Sequence, residues 1–258
     1  MAAGARDLGV AGWKGRALDL EHLAIHSMFD ALAWLSAALM TFWLSKRARI
    51  EFPVSPSQRG GYYAALVAGS AIGAYLFGTL NMIACGQFLI ARSIEGAIFG
   101  AVVGVEIYKR LARIEARTGA RFAAPLAVGV AVGRIGCYYS GIGDFTYGTP
   151  ANWPWCHDFG DGVLRHPAPL YESASMALFL AAYLAAAFRG NRFVIDNGLY
   201  LAIVWYAVQR FVWEFFKPYT PVLGPMTVFQ ILSVVLAMYA LFMLGAGSDE
   251  PHERSVRT

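Results

Sequence analysis

The sequence predicts an all-α integral membrane protein: about seven transmembrane helices with an ordered loop on one face. Three observations predict it. Of the 258 residues, 57% are hydrophobic and only 15% charged, whereas soluble domains carry about 45–50% and about 25%. Seven separate apolar stretches approach the ~20 residues that cross a bilayer. One long connection, 141–169, is rich in tryptophan and tyrosine, the residues that settle at a membrane interface. This composition excludes a disordered chain and a soluble domain with one anchor. A net charge of +4 is small, and basic residues of membrane proteins mark their cytoplasmic loops, so no nucleic acid is expected as a partner.

The stretches run, in order, Ala24–Leu44, Gly61–Leu80, Ile94–Tyr108, Phe122–Ser140, Leu170–Phe188, Gly198–Phe216 and Pro225–Leu244. The third is short, and Gly133, Arg134 and Gly136 interrupt the fourth. Residues 1–23 read as an outer N-terminal segment with no cleavable signal peptide, 24–244 as the membrane domain and 245–258 as a cytoplasmic tail. With the N-terminus outside, thirteen Lys and Arg fall on the inner side and six on the outer. That asymmetry sets the orientation: N-terminus out, C-terminus in, and loop 141–169 outside, in the periplasm of a Gram-negative cell. Glycines at four-residue spacing (Gly69/Gly73, Gly96/Gly100/Gly104, Gly129/Gly133) let helix backbones approach in lipid.

Two charges stand where charge is expensive. Arg134 and Arg210 lie within apolar spans, at a cost of at least ~2.5–3.5 kcal/mol each. Glu214, four residues beyond Arg210, can pair with it on one helix face. Arg134 has no acid at that spacing, and a phosphate suits its forked guanidinium. Gly133 and Gly136 flank Arg134, loosening the helix so that backbone amides can approach a ligand. Glu95 opens the third span, either as an interfacial acid at a helix N-terminus or as a general base facing a cavity. Asp30 and Gln209 read as interhelical hydrogen-bond partners. The loop holds His157, Asp158, Asp161 and His166 in a spacing that matches no zinc or calcium pattern, so neither metal nor cofactor is expected. Cys85 and Cys156 share the outer side, as a disulfide or as free thiols, and Cys137 reads as a small packing residue.

Three blocks resemble a known family, the bacterial prolipoprotein diacylglyceryl transferases, over roughly Leu23 to Tyr239. Gly133-Arg134-Ile135-Gly136 is similar to its G-R-[IL]-G-N signature. His166-Pro167-Ala168-Pro169-Leu170-Tyr171-Glu172 is similar to H-P-[ST]-Q-L-Y-E. Gly198-Leu199-Tyr200 through Arg210, with Glu214-Phe215-Phe216-Lys217-Pro218, is similar to G-L-F…R…E-F-F-R-x-P.

The resemblance implies a multi-pass enzyme of the bacterial inner membrane. Its partners would be phosphatidylglycerol, the bilayer and a prolipoprotein signal peptide or another nucleophilic acceptor. It would move the diacylglyceryl group to a lipobox cysteine thiol and release glycerol phosphate. Arg134 and Arg210 would hold the phosphate, with Glu95 or His166 taking the proton. Gly133, Gly136, Asp144, Tyr171, Glu172 and Glu214 would shape the substrate site. The chain departs from the family at several positions: Glu95 replaces a histidine, Cys137 an asparagine, Met28 a tyrosine, and Asp144 stands near a glutamate. These departures leave open a family-like transferase with another acceptor, or a phospholipid-binding membrane protein without catalysis.

Overall fold

The computed structural model describes residues 20–47, 50 and 52–246. The expected outer N-terminal segment and cytoplasmic tail therefore fall almost wholly outside the described residues. Eight helices occupy the described chain: α1 (Leu20–Arg47), α2 (Pro56–Ala84), α3 (Ile94–Leu111), α4 (Ala123–Tyr139), α5 (Ala168–Phe188), α6 (Arg192–Asp196), α7 (Gly198–Glu214) and α8 (Val228–Ala246). The protein is an all-helical membrane protein. Among the described residues five helices, α1, α2, α4 with its preceding turn, α5 and α8, are long and apolar enough to cross a membrane. α3 and α7, whose apolar stretches also suggest spans, are shorter and carry Glu95, Glu106 and Lys109 or Arg210 and Glu214.

Local chemistry sets the helix ends. Pro56 occupies the first turn of α2, where its missing N–H costs nothing. The Ser93 side chain accepts from Gly96 N–H at the start of α3. Pro169 stands in the first turn of α5, and Gly190 follows its end with φ +76°, a conformation that favours glycine.

Packing is inverted relative to a soluble protein. Trp34, Ile72 and Phe242 are 73%, 68% and 72% exposed, as side chains facing lipid must be. Small, aliphatic and aromatic residues of α4, α5, α7 and α8, among them Ala127, Met176, Ile203, Tyr206 and Leu236, fill the centre.

The glycine spacing divides into two cases. A Cβ on Gly73 would stand 2.1 Å from Gly96 O, and one on Gly100 2.0 Å from Gly69 O. The α2 and α3 backbones therefore touch directly, as the small-residue pattern predicts. Gly129 and Gly133 face Ala33 and Ala37 of α1 at ordinary contact distances of 3.8–3.9 Å. At Gly136 the approach is again close, with 2.4 Å from a built Cβ to Phe29 Cβ. α4 is continuous through Gly133, Arg134 and Gly136, which corrects the expectation of an interrupted span. Gly136 serves helix packing against α1.

Residues 141–169 form an ordered cap. A short turn, Gly141–Asp144, leads to a two-stranded hairpin, β1 (His157–Asp158) and β2 (Leu164–Arg165), paired His157 to Arg165 and Asp158 to Leu164. Asp158 accepts the N–H groups of Gly160, Asp161 and Gly162. These bonds, Gly160's first, hold its carboxyl below the usual range. Asp161 ion-pairs with Arg165 at 2.6 Å, and the His157 ring packs on Tyr138 and Phe159. The acids and histidines of the hairpin are thus committed to its own structure. Trp153 and Trp155 stack at 5.4 Å on its exposed side. The Thr149 N–H donates to Phe216 O, and Tyr219 Oη to Phe145 O, tying the cap to the end of α7. All three cysteines are free, so Cys85 and Cys156 form no disulfide.

Candidate active site

Six charged side chains from α3, α4, α5, α7 and the segment after α7 meet in the interior. Glu172 of α5 is the centre. Its Oε2 lies 2.7 Å from Arg134 Nε, and its Oε1 lies 3.1 Å from Arg210 Nη1 and 2.5 Å from Lys217 Nζ. Arg210 also reaches Glu95 (Nε to Oε2, 3.3 Å) and Glu214 (Nη2 to Oε2, 3.1 Å), while its guanidinium lies 4.8 Å from the centre of the Phe229 ring. Ser233 Oγ donates to Glu95 Oε1, and Thr227 Oγ1 to Glu214 Oε1. Glu95 and Glu172 are fully buried, and Arg210 and Glu214 are 2% exposed.

Three cations and three carboxylates balance, which is the condition for holding charge in an apolar interior. Lys217 lies just beyond α7. Burial, reinforced by the neighbouring Arg210 guanidinium, pushes its ammonium down to about 8.

The cluster joins five of the residues expected from sequence: Glu95, Arg134, Glu172, Arg210 and Glu214. Two of its contacts bear on their roles. The partner of Arg134 within the protein is the Glu172 carboxylate. Glu95 is neither an interfacial acid nor an unengaged base, since Arg210 and Ser233 occupy its two oxygens. Lys217 stood inside the Glu214-to-Pro218 block, at the arginine of the family pattern, with no role assigned to it. Thr227 and Ser233 were not singled out from sequence, because a lone hydroxyl carries no pattern. Tyr206, one helical turn before Arg210, was missed for the same reason. It is 0% exposed, and its hydroxyl has no hydrogen-bond partner among the described residues.

The remaining expected residues stand elsewhere. His166 Nδ1 lies 3.1 Å from Tyr171 Oη, which also accepts from Trp155 Nε1 at 2.8 Å, and the imidazole packs on Phe216. This aromatic group joins the cluster through the chain, because Tyr171 precedes Glu172. Gly133 and Gly136 lie against α1, and Gly133 also lines the cavity described below. Asp144 contacts His26 of α1. Asp30 pairs with His26 on its own helix and with Arg92 of the α2–α3 connection at 3.5 Å. Gln209 accepts from Trp213 on the same helix, so it is not the interhelical partner expected.

Beside the cluster runs an apolar cavity of about 370 Å³, lined by residues that include Ala33, Ile94, Ile98, Val130, Gly133 and Ile203. Its volume falls within the ~300–1,000 Å³ of small-molecule pockets. Ile94 and Gly133 are the chain neighbours of Glu95 and Arg134, so the cavity wall adjoins the cluster through the chain.

A sequence profile described as prolipoprotein diacylglyceryl transferase matches residues 17–246. This chain belongs to that family. The profile covers every helix of the structure and the whole charged cluster. Among relatives, the phosphatidylglycerol–prolipoprotein diacylglyceryl transferase of Wolbachia sp. subsp. Brugia malayi is 30% identical over 136 residues, 47% of this chain and 52% of its own length. The protein of the same name from Campylobacter jejuni (strain RM1221) is 33% identical over 122 residues, 43% of this chain and 41% of its own length. The chain thus spans about half the length of the curated relatives it matches. Family membership agrees with what the three sequence blocks imply.

Proposed function

We propose that this chain transfers the diacylglyceryl group of phosphatidylglycerol to the lipobox cysteine thiol of a prolipoprotein, releasing glycerol phosphate. The observation that carries the reading is the convergence of Arg134, Arg210 and Lys217 on one buried carboxylate beside an apolar cavity. In this reading the acyl chains occupy the cavity and the phosphate meets the two arginines. As the glycerol C–O bond breaks, negative charge grows on the departing phosphate. Fixed guanidinium groups in a water-poor site stabilise that charge more than water would. The sulfur attacks the glycerol carbon, and its proton leaves toward His166 on the loop side. Glu95, held on both oxygens, positions Arg210. The reaction takes place at the outer face of the bacterial inner membrane, with the N-terminus outside and the C-terminus inside.

The test uses the protein purified in detergent, labelled phosphatidylglycerol and a lipobox peptide with one free cysteine, read by mass spectrometry. A diacylglyceryl mass on the thiol is the expected result, lost in Arg134→Ala and Arg210→Ala while the variants remain folded. Near-normal turnover in either variant overturns the phosphate role. Glycerol phosphate released without peptide modification identifies another acceptor. One observation favours a second reading, binding of phospholipid without catalysis: every cation of the cluster already has a carboxylate partner. That reading requires the lipid to be recovered unchanged from folded protein.

A further inference from the structure

A second polar group, distinct from the charged cluster, assembles where α1, α4 and the turn after α4 meet. His26 Nε2 lies 3.1 Å from Asp144 Oδ1. Cys137 Sγ completes the group, with the three ligand-type atoms within 4.8 Å of one another. Cys137 is buried, and the other two are partly buried. Two of the three have an outer partner that turns the remaining atom inward. Asp30 Oδ2 takes the far ring nitrogen of His26, Nδ1, at 3.2 Å. Thr146 Oγ1 donates to the far oxygen of Asp144, Oδ2, at 2.7 Å. Metal-binding histidines and carboxylates are oriented in this way. The close contact of Gly136, next to Cys137, with Phe29 packs α4 against the helix that carries His26.

We propose that His26 Nε2, Cys137 Sγ and the Asp144 carboxylate bind one Zn²⁺, leaving its fourth position open to a thiol. Nitrogen, sulfur and oxygen ligands are those zinc takes, at bond lengths of about 2.0–2.3 Å. Tetrahedral bonds of that length separate ligand atoms by roughly 3–4 Å, so the group need close by only about one ångström. One thiolate and one carboxylate neutralise the ion. Asp30, which would otherwise add charge, faces Arg92 at 3.5 Å. Three protein ligands with one open position is the arrangement of reactive zinc sites, in contrast to closed structural ones.

The site deepens the transferase reading and rests on it for its role. A thiol that coordinates zinc is deprotonated, its proton leaving toward His166 on the loop side as in the reaction above. Its sulfur can then form the C–S bond to the glycerol carbon as the C–O bond breaks and the electron pair leaves on the phosphate. Arg134 stands one turn before Cys137 on α4, with Nη1 3.9 Å from Sγ. A thiolate at the open position therefore lies next to the arginine assigned to the phosphate. This supplies acceptor activation in a chain whose Glu95 is committed to Arg210 and Ser233.

The test uses full-length protein in detergent with Cys85→Ser and Cys156→Ser, stripped by chelator and titrated with Co²⁺ as a coloured substitute for zinc. One equivalent should bind and produce a thiolate-to-cobalt charge-transfer band. The band should vanish in Cys137→Ser and His26→Ala. Asp30→Asn, which keeps all three ligands, should weaken binding about 10–100-fold. A lipobox peptide should shift the band with cysteine and leave it unchanged with serine. No band, or one that survives Cys137→Ser, overturns the site; a band indifferent to the cysteine peptide overturns the thiol role. Lipid turnover undiminished by chelation would also overturn that role while leaving the transferase reading intact. Metal binding in a protein that turns over no lipid would support the site and end the transferase reading.

Discussion

Arg134 on α4 and Arg210 on α7 take opposite oxygens of a single carboxylate, Glu172, at 2.7 Å and 3.1 Å. Neither arginine contacts the other, yet one short side chain fixes their separation. The carboxylate acts as an internal anion that keeps two guanidinium groups ordered and aimed at one place. A phosphate of similar charge and oxygen spacing can share them, which makes the spacing of the pair a functional quantity.

Glu172 is for the same reason the most sensitive charge in the fold. Glu172→Gln leaves Arg134, Arg210 and Lys217 with two carboxylates for three positive charges. Removing one partner of a buried pair costs about 3–5 kcal/mol. Thermal unfolding in detergent should show a lowered midpoint. An unchanged midpoint would mean that water or lipid reaches the cluster and already compensates it.

Lys217 should impose a pH dependence on phosphate binding. Its ammonium is pushed from the ordinary 10.5 down to about 8, so the fold disfavours the charged form. The sign follows: folding carries this cost below about pH 8, and as pH rises from there toward 10.5 the group contributes a gain in stability, not a loss. Positive charge at the site falls over the same interval. Phosphatidylglycerol binding should therefore weaken above about pH 8 while the protein remains folded. Lys217→Arg should remove this step, because guanidinium stays charged. A binding profile identical in both proteins would refute the role of Lys217.

Tyr206 separates binding from stability. Its buried hydroxyl lacks a partner among the described residues, and such a group costs the fold about 1–3 kcal/mol. Tyr206→Phe should therefore leave the unfolding midpoint unchanged or raised. If the hydroxyl meets the phospholipid, the same change should weaken lipid binding by roughly tenfold, the equivalent of about 1.4 kcal/mol. Lipid affinity measured alongside the midpoint tests both halves.

The two classes of glycine contact should respond in opposite directions. A methyl at Gly100 would stand 2.0 Å from the Gly69 carbonyl oxygen, and backbone must move to admit it. Gly100→Ala should destabilise by about 1–3 kcal/mol, as overpacking does, and should displace Glu95 on the same helix. Gly129→Ala meets only ordinary contacts at 3.8 Å, and alanine favours the helix by about 1 kcal/mol. Its midpoint should hold or rise. Equal losses at both positions would contradict the packing described.

Much of the fold was legible because it depends on local composition. Five of the seven apolar runs are helices long and apolar enough to cross a membrane, the glycine spacing of α2 and α3 marks a direct backbone contact, and the aromatic loop is an ordered cap. Arg134 and Arg210 were legible for a physical reason: a charge in an apolar run is costly and must have a partner. The sequence was silent on the partner's identity. Glu172 lies on another helix, and no spacing rule connects it to either arginine. Thr227, Ser233 and Tyr206 were less visible still, being ordinary residues made significant by what lies opposite them.

Sequence by itself determined that this protein lies in a membrane as a helical bundle, that two arginines are buried and which family the chain resembles. Those properties follow from the free energy of placing each side chain in lipid or water, which sums along the chain. Only the tertiary structure decided that one carboxylate holds both arginines, that Glu95 is committed to Arg210, and that His26 meets Cys137 and Asp144. Those facts depend on which helix faces lie opposite each other. Backbone contacts such as those at Gly100 and Gly136 fix that pairing, because only helices that approach so closely can bring side chains from distant parts of the chain within bonding distance.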